Sequence, residues 1–169
     1  MEDIAALAGT SRTSVFNYFG YKEALLVEIG ARYVREVAER VAPRRARSPR
    51  GVMRDLADAV AEVVAAEPVL AKAVAREMVH PDPERRRYAA ERMGYPVLYR
   101  GLLIGLASKG ELRHPKQLPT YERQLVDLTS GAIVRVGGDY PTSQLRAEFY
   151  RNIDLFCDGA LIPTTGRKQ

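Results

Sequence analysis

Apolar residues recur every three or four positions along most of the chain, which is the spacing of an amphipathic α-helix. Alternation with a period of two, which is typical of strands, is absent from the sequence. The pattern therefore predicts an all-α fold. In the segment from Lys22 to Val41 the apolar positions form one stripe, made of Leu26, Ile29, Tyr33, Val37 and Val41.

Start and stop signals divide the rest of the chain into further helices. Ser48-Pro49 and Asp82-Pro83-Glu84 each place a capping side chain before a proline in the first turn. Gly94-Tyr95-Pro96 interrupts a helical segment, because an internal proline removes a backbone hydrogen bond and clashes one turn back. We expect a kink or two abutting helices there. The predicted helices are 22–41, 49–66, 69–79, 84–109 with this interruption, 120–136 and 142–161.

Two short helices are predicted at the start of the chain, joined by a turn at Gly9. The first is apolar along residues 4–8, and Gly9 supplies the left-handed conformation that ends it. Thr10 or Ser11 can cap the second helix, which runs from about Arg12 to Phe19. Two short helices joined by a tight glycine-containing turn form a helix-turn-helix pattern, whose second helix enters the major groove of DNA.

The second short helix carries the side chains expected to read DNA. Such reading needs side chains that reach base edges, donors for phosphates and a rigid platform. Arg12 can present its guanidinium to guanine, while Thr13 and Ser14 are short enough to let the helix lie close. Val15 and Phe19 should instead pack between the helices. Spacing alone describes an ordinary aromatic-rich helix with a polar outer face equally well.

The stretch from Ile4 to Leu25 follows the pattern I-A-x-x-A-G-T-S-x-x-x-V-F-x-Y-F-x-x-K-x-x-L. This pattern resembles the DNA-binding motif of the TetR family of transcriptional regulators, and the number of agreeing positions favours DNA binding over an ordinary core. The resemblance implies that Phe16 contacts DNA through its apolar ring and that Tyr18 and Lys22 contact phosphates. Asn17 belongs to the same DNA-binding set, although its counterpart varies in role within the family.

One departure from the family lies just before this motif. The family has a further helix there, packed across both helices of the motif, whereas here Met1 and Glu2 stand immediately before it. The family often places small polar or basic residues that touch phosphate at these two positions. Because isolated short helices are marginal in water, we expect the chain as written to bind DNA weakly. Either the natural start lies upstream or strong DNA binding has been lost.

The resemblance also implies how the rest of the chain is organised. Residues 1–41 hold a partial DNA-binding head with its linking helix, and residues 42–169 form a helical regulatory and dimerisation domain. In the family, the last two helices pair with their copies to form a four-helix bundle. Two apolar faces on helix 120–136 fit this homodimer, although a helix fully buried in one monomer has the same pattern. The predicted dimer contacts are Leu125, Leu128, Ala132, Leu145, Phe149, Ile153 and Phe156.

A small-molecule pocket is also implied, because in the family the body commonly holds an effector that changes the spacing of the two heads. Methionine adapts to irregular space, and tyrosine offers an apolar ring with one polar group. We therefore predict the pocket before and around the proline interruption, with an apolar or aromatic effector. The alternative for each residue is an ordinary place in the core. The candidates are Met53, Leu56, Met78, Tyr88, Met93, Tyr99 and Leu103.

Composition adds further constraints. The 169 residues are 46% hydrophobic, which is enough for a core and argues against disorder. A net charge of +5 favours an acidic partner, of which nucleic acid is the obvious one. No apolar run approaches the roughly 20 residues of a membrane span, so we expect a cytoplasmic protein with no membrane partner. Cys157, the single cysteine, is predicted to pack as a small hydrophobe rather than act as a redox switch.

Enzymatic chemistry finds no support in the sequence. His80 and His114 both precede prolines in predicted loops and lack the neighbours of a metal site or a catalytic triad. We therefore predict a regulator that binds a palindromic double-stranded DNA operator as a homodimer, without a cofactor. It is predicted to be a repressor released by a small molecule. The alternative is a helical dimer that senses a ligand or binds a protein but has lost DNA binding.

Overall fold

The structure, a computed structural model, describes residues 2–19, 23–43, 48–135 and 141–163. Within these ranges the secondary structure is helical apart from an isolated antiparallel bridge between Leu112 and Leu161, which confirms the predicted all-α class. The helices are α1 (Glu2–Leu7), α2 (Arg12–Phe19), α3 (Ala24–Val41), α4 (Pro49–Ala66), α5 (Pro68–Met78), α6 (Pro83–Met93), α7 (Tyr95–Ser108), α8 (Leu118–Arg135) and α9 (Thr142–Ala160), with the 3-10 turn Pro115–Gln117 before α8.

Side-chain caps start three of the helices, as the sequence predicts. The Ser11 hydroxyl accepts a hydrogen bond from the backbone N–H of Ser14 at 3.0 Å, and Ser48 does the same for Gly51 at 3.1 Å. The Asp82 carboxylate accepts from the first-turn amides of α6. Each cap supplies an acceptor for an N–H that has no partner within its own helix, so the local sequence defines where these helices begin.

Gly94 separates α6 from α7. Its φ of 81° lies in the left-handed region, which glycine adopts without a steric penalty. The chain therefore ends one helix and begins the next within a single residue. Pro96 consequently falls in the first turn of α7, where the absence of its N–H removes no helical hydrogen bond. Two abutting helices, rather than one kinked helix, occupy this region.

The core lies in the body, around α3 and α8. Helix α3 packs on α4, α5 and α6, while α8 packs on α5, α7 and α9, and α4 lies against α9. The largest side chains that are completely buried come from five of these helices. They are Tyr99, Met53, Met93, Leu103, Leu125 and Leu145.

The buried face of α3 is wider than the predicted stripe. Tyr33 and Val37 are buried as expected, but Val27 is also buried, whereas Leu26 and Ile29 are only partly buried. The difference arises because α3 contacts α4 and α5 on one side and α6 on another. A helix that packs on several neighbours buries more than one line of side chains.

Gly30 allows α3 and α6 to approach closely. A Cβ atom placed on Gly30 would lie 2.5 Å from the Met93 sulfur and 2.8 Å from its Cγ, distances that non-bonded atoms do not reach. The two helices are therefore in contact at a point where only a hydrogen atom fits between the backbone and the Met93 side chain.

Charged side chains join α4 to α9. Arg50 Nη1 lies 2.8 Å from Asp154 Oδ1, Arg54 Nη2 lies 2.9 Å from Asp154 Oδ2, and Arg50 also pairs with Asp158. The hydrogen bond from Arg54 is the main reason why the pKa of Asp154 is lowered, and the bond from Arg50 adds to it. The cluster holds the amino-terminal half of α4 against the last helix.

Cys157 is buried on α9, as predicted for a packing role, with 1% of its surface exposed. Burial raises the pKa of its thiol to about 11. Among the residues that the structure describes, no helix combines the length and apolar character needed to cross a bilayer.

Candidate DNA interface and ligand cavities

Helices α1 and α2 form a small head with a tight turn between them. Gly9 has a φ of 61°, and the N–H of Thr10 donates to the carbonyl of Ala5 at 3.0 Å. The two helices pack through Ala5 and Val15, which are 3% and 4% exposed. No other side chain between residues 2 and 19 is fully buried. The predicted helix-turn-helix geometry is therefore present, on a very small core.

The outer surface of α2 is exposed over most of its length. Arg12, Thr13 and Asn17 are exposed, and Thr13 and Asn17 lie one turn apart on the side opposite the buried face. Phe16 and Tyr18 are 53% and 85% exposed. Large aromatic side chains left in water next to polar ones indicate a contact surface. The five residues form a face that can lie in a groove of DNA.

The remaining predicted DNA contacts have other positions. Ser14 is half-buried, and its hydroxyl lies 2.9 Å from the Ser11 hydroxyl, so it takes part in the cap of α2. Lys22 lies outside the described residues. Phe19, predicted to pack, is half-buried at the end of α2.

An acidic side chain reaches into this face, which periodicity did not predict. Arg12 Nη1 donates to Glu2 Oε1 at 2.9 Å, and the two side chains are 66% and 76% exposed. The contact links the first residues of α1 and α2. The sequence contained one relevant signal, the acidic Glu2 at a position where the similar family often has basic or small polar residues.

A narrow cavity lies inside the body, between α3, α4, α5, α7 and α8. Its free volume of about 10 Å³ is room for one water molecule. Its lining includes three residues that carry a hydroxyl group, Tyr33, Tyr95 and Ser130. Its apolar lining includes Val37, Val60, Val63, Val64, Ala71, Ala75, Met78 and Ile133. We call this space the core cavity.

One of the seven predicted pocket residues, Met78, lines the core cavity. Tyr88 is 42% exposed and lies in a separate groove. The other five are buried at 2% exposure or less, belong to the hydrophobic core and do not line the core cavity; their part in ligand binding stays a prediction. These five are Met53, Leu56, Met93, Tyr99 and Leu103. Side-chain type does not distinguish a cavity wall from a filled core.

A larger opening, the junction groove, lies where the head meets the body. Its volume is about 700 Å³. Two ion pairs border it, with Arg92 Nε 3.0 Å from Glu28 Oε1 and Arg32 Nη2 2.5 Å from Glu67 Oε2. The groove is lined by Tyr18 and Phe19 of α2, by Ala24, Leu25, Glu28, Ile29 and Arg32 of α3, and by Glu67, Leu70, Tyr88 and Arg92.

Tyr33 links the lining of the core cavity to the lining of the junction groove. Its ring lines the cavity and is 3% exposed, while its hydroxyl donates to Glu67 Oε2 at 2.7 Å. Burial and this hydrogen bond raise the pKa of Tyr33, and the same bond lowers the pKa of Glu67. Because Glu67 and Arg32 both line the groove, one hydrogen-bonded set of side chains runs from the cavity lining to the groove lining.

The predicted dimer contacts are largely used within the chain. Six of the seven residues, all except Leu128, are between 0% and 6% exposed. They are Leu125, Ala132, Leu145, Phe149, Ile153 and Phe156. Surface already buried inside one subunit is unavailable to a second, so these side chains stabilise the subunit itself. The outer face of α8 and α9 instead exposes Leu155 at 71%, beside the half-buried Leu128.

A helix-turn-helix head joined to an all-helical body is the architecture of a DNA-binding transcriptional regulator. Family comparison agrees. The C-terminal domain of TetR/AcrR family transcriptional repressors matches residues 29–159, and the N-terminal profile of the bacterial regulatory proteins of the tetR family matches residues 1–29. The chain belongs to the TetR family of transcriptional regulators.

Two solved structures are similar to the chain. The repressor FadR of Thermus thermophilus, a TetR family protein solved in complex with lauroyl-CoA, has a TM-score of 0.80 and 31% identity. The match covers 99% of this chain and 88% of FadR. The regulator PfmR, also from Thermus thermophilus, has a TM-score of 0.56 and 18% identity, covering 94% and 87%, and supports the fold. A comparison with curated protein sequences gives no significant match.

Proposed function

We propose that this protein is an operator-binding repressor whose effector carries a long, flexible apolar chain, as a fatty acyl thioester does. The core cavity carries this proposal. It is narrow, its wall is largely aliphatic, and it lies along α3, the helix that joins head to body. A slender chain can occupy such a space once the surrounding helices shift slightly apart, whereas a bulky rigid compound would need a far larger opening. The similar FadR, which holds lauroyl-CoA, supports the same class of ligand.

The position of the effector's acyl chain in the core cavity explains why the protein would be released from DNA. A space with room for one water molecule must widen to accept an acyl chain, and close-packed interiors respond by shifting whole helices. Tyr33 and Val37 place α3 on the wall of the cavity. A shift of α3 moves the head, and two heads fit DNA only when they match half-sites about 34–36 Å apart. Effector binding therefore lowers operator affinity.

Two half-sites require two subunits, so the proposal includes a homodimer. We assign its contact to the outer face of α8 and α9, centred on Leu155 and Leu128. An exposed leucine beside a partly buried one is suited to a second copy of the same face, as expected for a twofold interface. Leu155→Glu should therefore give monomers, detected by analytical ultracentrifugation, and should weaken operator binding.

The effector class is tested with an operator obtained by selecting bound duplexes from a random pool. Lauroyl-CoA should release the labelled operator, as measured by fluorescence anisotropy. Butyryl-CoA, whose short chain buries much less apolar surface than a lauroyl chain, should have little effect. Equal potency of the two thioesters, or no release by either, would contradict the acyl-chain assignment.

A further inference from the structure

We infer that the junction groove is a binding site for the anionic, nucleotide-like head of the effector, and that Tyr33, Glu67 and Arg32 form the gate through which its chain reaches the core cavity. This inference rests on the proposed function and adds a second site, a ligand chemistry and a route between the two spaces.

The different sizes of the core cavity and the junction groove suit different parts of the ligand. The core cavity holds about one water molecule and its lining is largely aliphatic, so a polar head group does not fit there. The junction groove has about 700 Å³, within the range of about 300–1,000 Å³ typical of small-molecule sites. A ligand with a thin apolar chain and a large polar head matches this combination.

The groove offers the chemistry that recognises such a head. Tyr18 and Tyr88 are 85% and 42% exposed at its edge, and flat aromatic rings of this kind stack on a planar base. Arg32 and Arg92 supply two guanidinium groups, which bind phosphate oxygens through paired hydrogen bonds. Base and phosphates together describe a nucleotide.

The carboxylates that now hold these arginines can be replaced. Arg92 and Glu28 are 61% and 44% exposed, and Arg32 and Glu67 are 47% and 44% exposed. Ion pairs this exposed contribute little to stability. A phosphate that takes the place of a glutamate keeps each arginine paired, so the exchange costs little.

The gate couples binding of the ligand's polar head group in the groove to entry of its acyl chain into the cavity. Glu67 Oε2 accepts hydrogen bonds from both Arg32, on the groove side, and Tyr33, on the cavity side. A phosphate that draws Arg32 away removes one of the two hydrogen bonds that position Glu67 Oε2, so Glu67 and the Tyr33 hydroxyl bonded to it can move together. Rotation of the Tyr33 ring opens the wall between groove and cavity.

The groove also brings the ligand into contact with the reading helix. Tyr18 belongs to the exposed face of α2 and at the same time lines the junction groove. A base stacked on Tyr18 removes that side chain from DNA. The head of the ligand thus acts on the DNA interface directly, in addition to any shift of α3.

Isothermal titration of the full-length protein tests both the groove site and the gate. The three probes are lauroyl-CoA, laurate and CoA alone. Arg92→Gln should weaken lauroyl-CoA binding about tenfold, as expected for one charge-assisted contact, and leave laurate binding unchanged. Arg87→Gln is the matched control, since Arg87 is an exposed arginine on the same helix outside the groove. It should bind all three probes as the unmodified protein does.

Tyr33→Phe tests the gate, because it removes the hydrogen bond to Glu67 and keeps the ring. Laurate and lauroyl-CoA should both bind severalfold more tightly to this variant, because the hydrogen bond to Glu67 no longer has to be broken before the Tyr33 ring can move. Unchanged or weaker binding overturns the gate. Equal effects of Arg92→Gln and Arg87→Gln overturn the groove site while leaving the proposed function intact. If the unmodified protein binds neither acyl compound, the proposed function fails, and the inference with it.

Discussion

Replacing Glu2 by glutamine tests whether an acidic side chain restrains the DNA-reading face. The substitution keeps the size of the side chain but removes the charge that lies 2.9 Å from Arg12 Nη1. Because both side chains are largely exposed, the ion pair contributes about 0–1 kcal/mol, so the stability of the fold should change very little.

The substitution should also change DNA binding. In a complex, Arg12 must leave Glu2 to reach a phosphate or a guanine, a contact worth about 1–3 kcal/mol. Glu2→Gln removes both the competing carboxylate and its repulsion of phosphate. We expect affinity for any duplex to rise by up to about 1 kcal/mol, or about fivefold. The gain should be greater for non-specific DNA, because a free arginine contacts any phosphate.

Asp3→Asn is the matched control, since Asp3 is the next exposed acidic residue of α1 and its substitution changes the net charge equally. Fluorescence anisotropy at several salt concentrations separates the loss of the Glu2–Arg12 ion pair from the change in net charge. If Arg12 gains a phosphate contact in Glu2→Gln, the slope of log affinity against log salt should steepen by about 0.9. Equal gains from Glu2→Gln and Asp3→Asn would show that only the overall charge matters, and would refute the restraint.

Two further predictions concern stability. Gly30→Ala should be destabilising by about 1 kcal/mol in urea unfolding, because crowding against Met93 costs about 1–3 kcal/mol and exceeds the helix-propensity gain of about 1 kcal/mol. Gly101→Ala, in open space on α7, should be stabilising, and a stabilising Gly30→Ala would contradict the close contact. The pKa of Asp154 is lowered in the folded state, so its stabilising effect is present above the unfolded pKa of about 3.9 and is lost as pH falls through the folded value. Asp154→Asn should therefore be destabilising at pH 7 and nearly neutral in strong acid; a destabilisation independent of pH would refute the ion-pair explanation.

The features that the sequence predicted well are those decided by neighbouring residues. The limits of α2, the cap at Ser48 and the break at Gly94 follow from hydrogen bonds and φ angles within a few residues. Periodicity also identified α8 and α9. Periodicity predicts that an apolar helix face is buried. It does not show whether that face packs against the same chain or against a second copy. Leu125 and Phe149 were assigned to the dimer mainly because the family resemblance implied a four-helix bundle, and both are buried within the single chain.

The candidate ligand sites depend on contacts between distant segments and were harder to predict. Tyr33 and Glu67 are 34 positions apart, and nothing local to either residue indicates the bond. Methionine and tyrosine content pointed to Met53 and Tyr99, which are completely buried and do not line the core cavity. Whether a side chain lines a cavity or fills it is decided by the summed shapes of several helices, which single-sequence patterns do not contain.

The small core of the head affects how DNA binding depends on temperature. Ala5 and Val15 together remove little apolar surface from water, at about 0.8 kcal/mol for each buried methylene. Local opening of α1 and α2 is therefore among the least costly motions of the protein, and amide hydrogens there should exchange before those of the body. DNA binding must then order the head as well as dock it, which adds to the negative heat-capacity change of association. On warming, such a repressor leaves its operator while its ligand-sensing body is still folded.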